Sequence, residues 1–119
     1  MIELRQVTKM YYRGKGGKQI PVKAIDQIDL KIGPGEFLVI TGRSGCGKTT
    51  LLNLIAGIAR PNSGQVFVDG VDIWTLGDEE ISVLRNLKIG FMFQVPSLIP
   101  TLNVLDNVVV PTMFAPKKR

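Results

Sequence analysis

Apolar and polar residues alternate along "IELRQV", residues 2–7, which predicts a first strand. In "IDQIDLKI", residues 25–32, Ile28, Leu30 and Ile32 recur at every second position, the mark of a half-buried strand. Between the two, "RGKGGKQ", residues 13–19, reads as a basic turn rich in glycine. "GPGE" turns the chain again before "FLVI", residues 37–40, where every position is apolar. That pattern predicts a strand covered on both faces, as in a parallel α/β sheet.

The period then changes. Leu51, Leu52, Ile55 and Ile58 fall at helical spacing, and "RPNSG", residues 60–64, is expected to stop that helix. "QVFVDG" and "VDI" predict two more short strands around a turn. Asp78 is expected to cap a helix reaching about Leu87, with Ile81, Leu84 and Leu87 on one side. "IGFMF", residues 89–93, has the look of another buried strand, "VPSLIP" of a loop, and "TLNVLDNVVV" of a short helix ending before Pro111. No repeat and no linker interrupts this order, so a single α/β domain is expected.

The chemistry lies where a strand pattern gives way to a helix pattern. "TGRSGCGKTT", residues 41–50, fits G-x-x-x-x-G-K-[ST] through Gly42, Gly47, Lys48 and Thr49. Glycines let successive backbone N–H groups turn inward onto phosphate oxygens, and the following helix adds the partial positive charge of its first turn. Lys48 is placed to reach β- and γ-phosphates, and the Thr49 hydroxyl to ligate Mg²⁺. Thr50 and the N–H groups from Gly45 onward would hold the remaining oxygens. A glycine-rich turn carrying a surface lysine is the plain alternative. The strand before the loop and the helix after it favour the phosphate cradle.

Composition narrows the remaining classes. With 45% apolar and 21% charged residues, the 119-residue chain has a globular balance. Its net charge of +5 is concentrated early: Arg5, Lys9, Arg13, Lys15, Lys18 and Lys23 precede Ala24, against the single acid Glu3. Such a segment can attract phosphates or an anionic membrane face, but a solvated loop with its flanks is the favoured account. A nucleic-acid module would need a basic face with aromatic or helical readout elements, and no nucleic acid is expected as a partner. Cys46 is the only cysteine and histidine is absent, which excludes a disulfide framework and a His/Cys metal site. Without a histidine partner, Cys46 is not a catalytic nucleophile either. "MIELRQVTK" lacks the apolar core of a signal peptide, and no run approaches the ~20 apolar residues that cross a bilayer. A soluble, cytoplasmic chain is expected.

"GRSGCGKTTLLNLIAG" resembles the Walker A segment of ATP-binding cassette (ABC) transporter ATPases. "GFMFQ", ending at Gln94, resembles the strand and glutamine of that family's Q-loop, and "VTKMYYRG" its aromatic loop. Taken together, the segments are most similar to the lipoprotein-releasing and macrolide-exporter branch. The resemblance implies an ABC-type P-loop fold with an antiparallel β region beside the P-loop strand and helix. It implies ATP and Mg²⁺ as ligands, held by Tyr11, Gly42, Ser44, Gly45, Cys46, Gly47, Lys48, Thr49 and Thr50. Lys48 and Gln94 would serve catalysis, and Thr49 and Gln94 the metal. Tyr11, rather than its neighbour Tyr12, would stack on adenine, with Val22 and Ala24 lining base and ribose. The partners implied are a membrane permease, met by the loop after Gln94 with Val95, Leu98 and Ile99, and a second ATP-binding domain in a homodimer. The location implied is the cytoplasmic face of the membrane.

The family's later motifs have no counterpart in these residues. After Gln94 there is no "LSGGQ"-like signature, no four apolar residues followed by Asp-Glu (the Walker B acids), and no switch histidine. Residues 1–119 are therefore expected to be the N-terminal portion of one ATP-binding domain, truncated before those motifs. Three further readings stand beside a transporter ATPase subunit: a non-catalytic nucleotide-binding fragment or regulator, a small-molecule P-loop kinase, and a basic nucleic-acid binder.

Overall fold

The computed structural model describes residues 1–14, 17 and 19–114. The middle of the basic turn at 13–19 and the tail at 115–119 lie outside the described residues. The chain forms two compact units, Met1–Leu76 and Gly77–Arg119.

The first unit is built on a sheet in the order β2-β1-β3-β4, antiparallel at every step. β1 spans Ile2–Arg13 and β2 spans Ile20–Ile32, so both strands extend well beyond their alternating cores. β3 (Ser63–Val68) and β4 (Val71–Asp72) form the tight pair expected from "QVFVDG" and "VDI". One helix of this unit, α1 (Lys48–Ile55), lies against β1 and β2. Leu4, Val7, Leu54, Val66 and Ile73 are fully buried between these elements. Burying each such side chain stabilises the unit by roughly 1.5–3 kcal/mol, offset by the ordering of the chain.

β1 is not regular. Gln6 adopts a left-handed backbone (φ 48°), and the register of β1 slips there against both neighbours, between Leu4 and Val7 on one side and Arg5 and Thr8 on the other. Asp29 holds the bulge by accepting from the Gln6 backbone N–H at 2.8 Å and from its side-chain amide. On the β3 side only glycine fits. A Cβ on Gly64 would stand 2.3 Å from the Gln6 carbonyl oxygen. β2 carries its own irregularity at Ala24, where Lys9 pairs with Ile25 but Met10 with Lys23.

α1 ends earlier than "RPNSG". Gly57 is left-handed (φ 65°), its N–H donates to Leu54 O at 3.1 Å, and Ile58 N–H donates to Asn53 O at 2.9 Å. This pair of bonds satisfies the last helical carbonyls and turns Ile58 out of the helix.

The second unit contains α2 (Asp78–Lys88) and α3 (Val104–Val109), the latter followed by a 3₁₀ turn over Val110–Phe114. Asp78 is not the cap of α2. Gly77 holds that position, and its N–H donates to the Glu80 carboxylate at 2.9 Å. On α2, Ile81 is buried and Leu84 half-buried, but Leu87 faces outward. Asn103 caps α3 as expected of its residue type, accepting from Asp106 N–H at 2.8 Å. Asn107 ties the preceding loop by accepting from Ile99 N–H and donating to the Ile99, Leu102 and Asn103 carbonyls.

Two strands expected from apolar runs are not strands here. Residues 37–40 and 89–93 have no ladder partner among the described residues, and Phe37 and Met92 are 89% and 94% exposed. A continuous apolar run fits a strand only when neighbours bond both its edges and layers cover both its faces. In the first unit the antiparallel sheet meets neither need for residues 37–40.

Candidate functional site

The loop at 42–47 leads directly into α1. Gly45 (φ 80°) and Gly47 (φ 105°) take left-handed backbones, and Cys46 N–H closes a turn onto Arg43 O at 3.2 Å. Gly47 is the residue before the helix, and no side chain caps the first turn. Those first N–H groups are the donors that a helix otherwise leaves to water or a ligand.

Gly47 is also pressed against the sheet. A Cβ there would stand 2.4 Å from the Ala24 carbonyl oxygen and 3.2 Å from Ile25 Cδ1. The β2 bulge therefore aims a carbonyl at the one glycine that must turn the loop into the helix. At the other end of the loop, Gly42 leaves room for Cys46, since a Cβ would meet Sγ at 2.7 Å. Lys48 folds back over the turn. Its Nζ donates to Gly42 O at 2.7 Å and to Arg43 O at 2.8 Å, and lies 3.7 Å from Cys46 Sγ. Two of the three ammonium protons are thus fixed on the loop's own carbonyls, and the third meets only a weak acceptor. The result is a cationic turn lined with backbone donors. Ser44, Cys46 and Thr49 are exposed around it, and Thr50 is half-buried.

Tyr11 is paired with Val22, two residues along β2 from Ala24. The strand register therefore links the aromatic position to the sheet residue that touches Gly47. Tyr11 is 41% exposed and Tyr12, paired with Pro21, is 58% exposed. Lys9 Nζ lies 5.3 Å from the Tyr11 ring centroid. In the sequence Lys9 stands out only as one of six bases before Ala24. The readable signal was its place two residues before Tyr11 on one strand, which puts both on one side.

Gln94 belongs to the second unit, where it is exposed, as are Val95, Leu98 and Ile99 beyond it. The acids of the first unit are engaged away from the loop. Glu3 pairs with Arg5, Asp26 with Lys23, Asp29 with Gln6, Glu36 with Gly33 N–H, Asp69 with the N-terminal amine, and Asp72 with Trp74 N–H. Among the described residues no group of three or more Asp, Glu, Cys or His side chains could hold a metal ion. No helix among them is long and apolar enough to cross a membrane.

Comparison with known proteins identifies relatives of this chain. The lipoprotein-releasing system ATP-binding protein LolD of Buchnera aphidicola subsp. Schizaphis graminum is 39% identical over 117 residues, 98% of this chain and 49% of LolD. The macrolide export ATP-binding/permease protein MacB of Nitrosomonas europaea is 42% identical over 115 residues, 97% of this chain and 17% of MacB. Among solved structures, the dimeric structure of MJ0796, a bacterial ABC transporter cassette, superposes with a TM-score of 0.88 at 40% identity. It is matched over 100% of this chain and 50% of its own. The same cassette in a post-hydrolysis state bound to ADP and Pi gives a TM-score of 0.87 at 39% identity. The chain spans about half the length of LolD and of the MJ0796 cassette. Its fold is that of part of an ABC-type nucleotide-binding domain, and the family profile described as ABC transporter matches residues 25–119. This chain belongs to the ABC transporter family.

Proposed function

We propose that this chain is the nucleotide-holding portion of an ABC transporter ATP-binding subunit, taking MgATP on the turn at 42–50. The observation that carries the reading is the turn itself: two left-handed glycines, an uncapped helix start and the Lys48 ammonium fixed on the Gly42 and Arg43 carbonyls. The donor set suits a polyphosphate, being backbone N–H groups of 45–50 and the Lys48 ammonium, while the first unit's carboxylates have partners away from the loop. Gly42, Ser44, Gly45, Cys46, Gly47, Thr49 and Thr50 would surround the phosphates, and Lys48 would offset the charge on the β- and γ-groups. Thr49 would hold Mg²⁺ through its hydroxyl. The metal, when bound, neutralises phosphate charge that the single ammonium leaves over. Tyr11 would stack on the base.

The names of LolD and MacB support a subunit that works with a permease in release or export, and the proposal places it at the cytoplasmic face of the membrane. The dimeric MJ0796 cassette supports pairing with a second ATP-binding domain. A narrower reading, nucleotide binding without hydrolysis by these residues, is favoured by one observation. Every acid of the first unit already has a partner elsewhere, so none is placed as a base for water. Calorimetry with MgATP and a phosphate-release assay on the same sample test both readings. Binding with release no faster than buffer is expected. Absence of binding overturns the phosphate site, and turnover abolished by Lys48→Ala overturns the narrower reading.

Two further outcomes follow from the geometry. Cys46 Sγ lies beside Gly42 and Lys48, so a bulky maleimide on it should block MgATP, and MgATP should slow the labelling. Labelling rates indifferent to MgATP would place the thiol away from the phosphates. If the Tyr11 ring carries the base, Tyr11→Ala should weaken MgATP by about 1–3 kcal/mol, the usual worth of a base on an aromatic ring, and Tyr11→Phe should not. Tyr12→Ala should do much less. A larger effect at Tyr12 would move the stacking position by one residue.

A further inference from the structure

Lys9 and Tyr11 stand on one side of β1, and two separate contacts fix the lysine. Its Nζ donates a 2.6 Å hydrogen bond to Arg60 O, in the segment that follows α1. The same Nζ lies 5.3 Å from the centroid of the Tyr11 ring. An aromatic ring has two faces, and a cation over one face leaves the opposite face for a flat partner. Tyr11 remains 41% exposed with the ammonium in place. The same cation therefore has a backbone acceptor as well as the ring, a second tie that a free surface lysine lacks.

We infer that Lys9 is a positioning residue for the nucleobase: anchored on the Arg60 carbonyl, its ammonium holds the Tyr11 ring in one orientation with one face open to stacking. The inference rests on the nucleotide reading above. It adds a residue that touches neither phosphate nor base. Holding the ring before the ligand arrives removes part of the ordering cost at binding. The opposing possibility is that Lys9 merely staples β1 to the segment after α1.

The test uses the full chain and two probes, MgATP and magnesium tripolyphosphate, which carries the phosphates without a base. Lys9→Met keeps the apolar stem and removes the ammonium, and Lys9→Arg restores a cation. Lys9→Met should weaken MgATP about two- to fivefold, the fold-change matching an exposed cation–π contact. It should leave tripolyphosphate unchanged, add no loss in a Tyr11→Ala background, and be rescued by Lys9→Arg. Equal weakening of both probes would make Lys9 a staple and overturn the inference, as would full additivity with Tyr11→Ala. Should Lys9→Met not fold, Lys9→Gln serves as the neutral variant under the same outcomes. If Tyr11→Ala leaves MgATP affinity intact, the inference falls while tripolyphosphate binding still upholds the phosphate site. If tripolyphosphate does not bind the parent chain, the nucleotide reading itself fails.

Discussion

Gly47→Ala is expected to abolish MgATP binding and to destabilise the first unit. The backbone there is left-handed at φ 105°, and the added Cβ would stand 2.4 Å from the Ala24 carbonyl oxygen. Backbone is a poor cushion, because moving Ala24 disturbs the pairing of Lys9 with Ile25 and Met10 with Lys23. Conformational strain of this kind costs about 1–3 kcal/mol and overpacking about as much again, so a loss of roughly 2–6 kcal/mol is expected. A variant that folds by shifting the loop instead would misplace the first N–H groups of α1. Gly45→Ala is the control. Gly45 has φ 80° but open space around its Cβ, so only the left-handed cost of about 1–2 kcal/mol applies. Thermal unfolding and calorimetry of the two variants side by side check the contrast. Equal behaviour of Gly47→Ala and the parent would mean that the contact with Ala24 plays no part.

Lys48→Ala should weaken MgATP roughly ten- to a hundredfold, the worth of a charge-assisted hydrogen bond at about 1.5–3 kcal/mol. The variant also frees the Gly42 and Arg43 carbonyls, which the ammonium now occupies. Part of the loss would therefore come from a loosened turn rather than from the missing charge. Lys48→Met separates neither effect, but ionic strength does. Screening weakens the direct attraction to phosphate and leaves the short intraloop bonds largely alone. Affinity falling with salt in the parent and nearly flat in Lys48→Ala is the expected pattern. Equal MgATP affinity of parent and variant would remove Lys48 from the site.

The glycine turn at 42–47 was legible because its requirements are local. Gly42, Gly47, Lys48 and Thr49 stand at fixed spacing between an apolar run and a helical pattern, and the backbone they specify depends little on distant contacts. β1 and β2 were legible for a similar reason, since period-two alternation needs only one buried face. Residues 37–40 and 89–93 were misread because an all-apolar run states only that both faces want cover. Whether a ladder forms depends on strands elsewhere, and the described residues supply none. The start of α2 was misread by one residue because Asp78 and Gly77 are both plausible caps. The Glu80 carboxylate, bonded to Gly77 N–H, decides between them.

Residue order alone determined the glycine turn, its lysine and hydroxyls, the alternating strands and the ABC resemblance, all properties of spacing within a few residues. Tertiary structure decided what those residues meet. It set the Gln6 bulge against Gly64, aimed the Ala24 carbonyl at Gly47, and laid the Lys9 ammonium over Tyr11 from an anchor at Arg60. Each of these is a contact between segments far apart in the chain, or a bulge that shifts strand register. Periodicity carries no record of either, because one inserted residue in a ladder redirects every side chain beyond it.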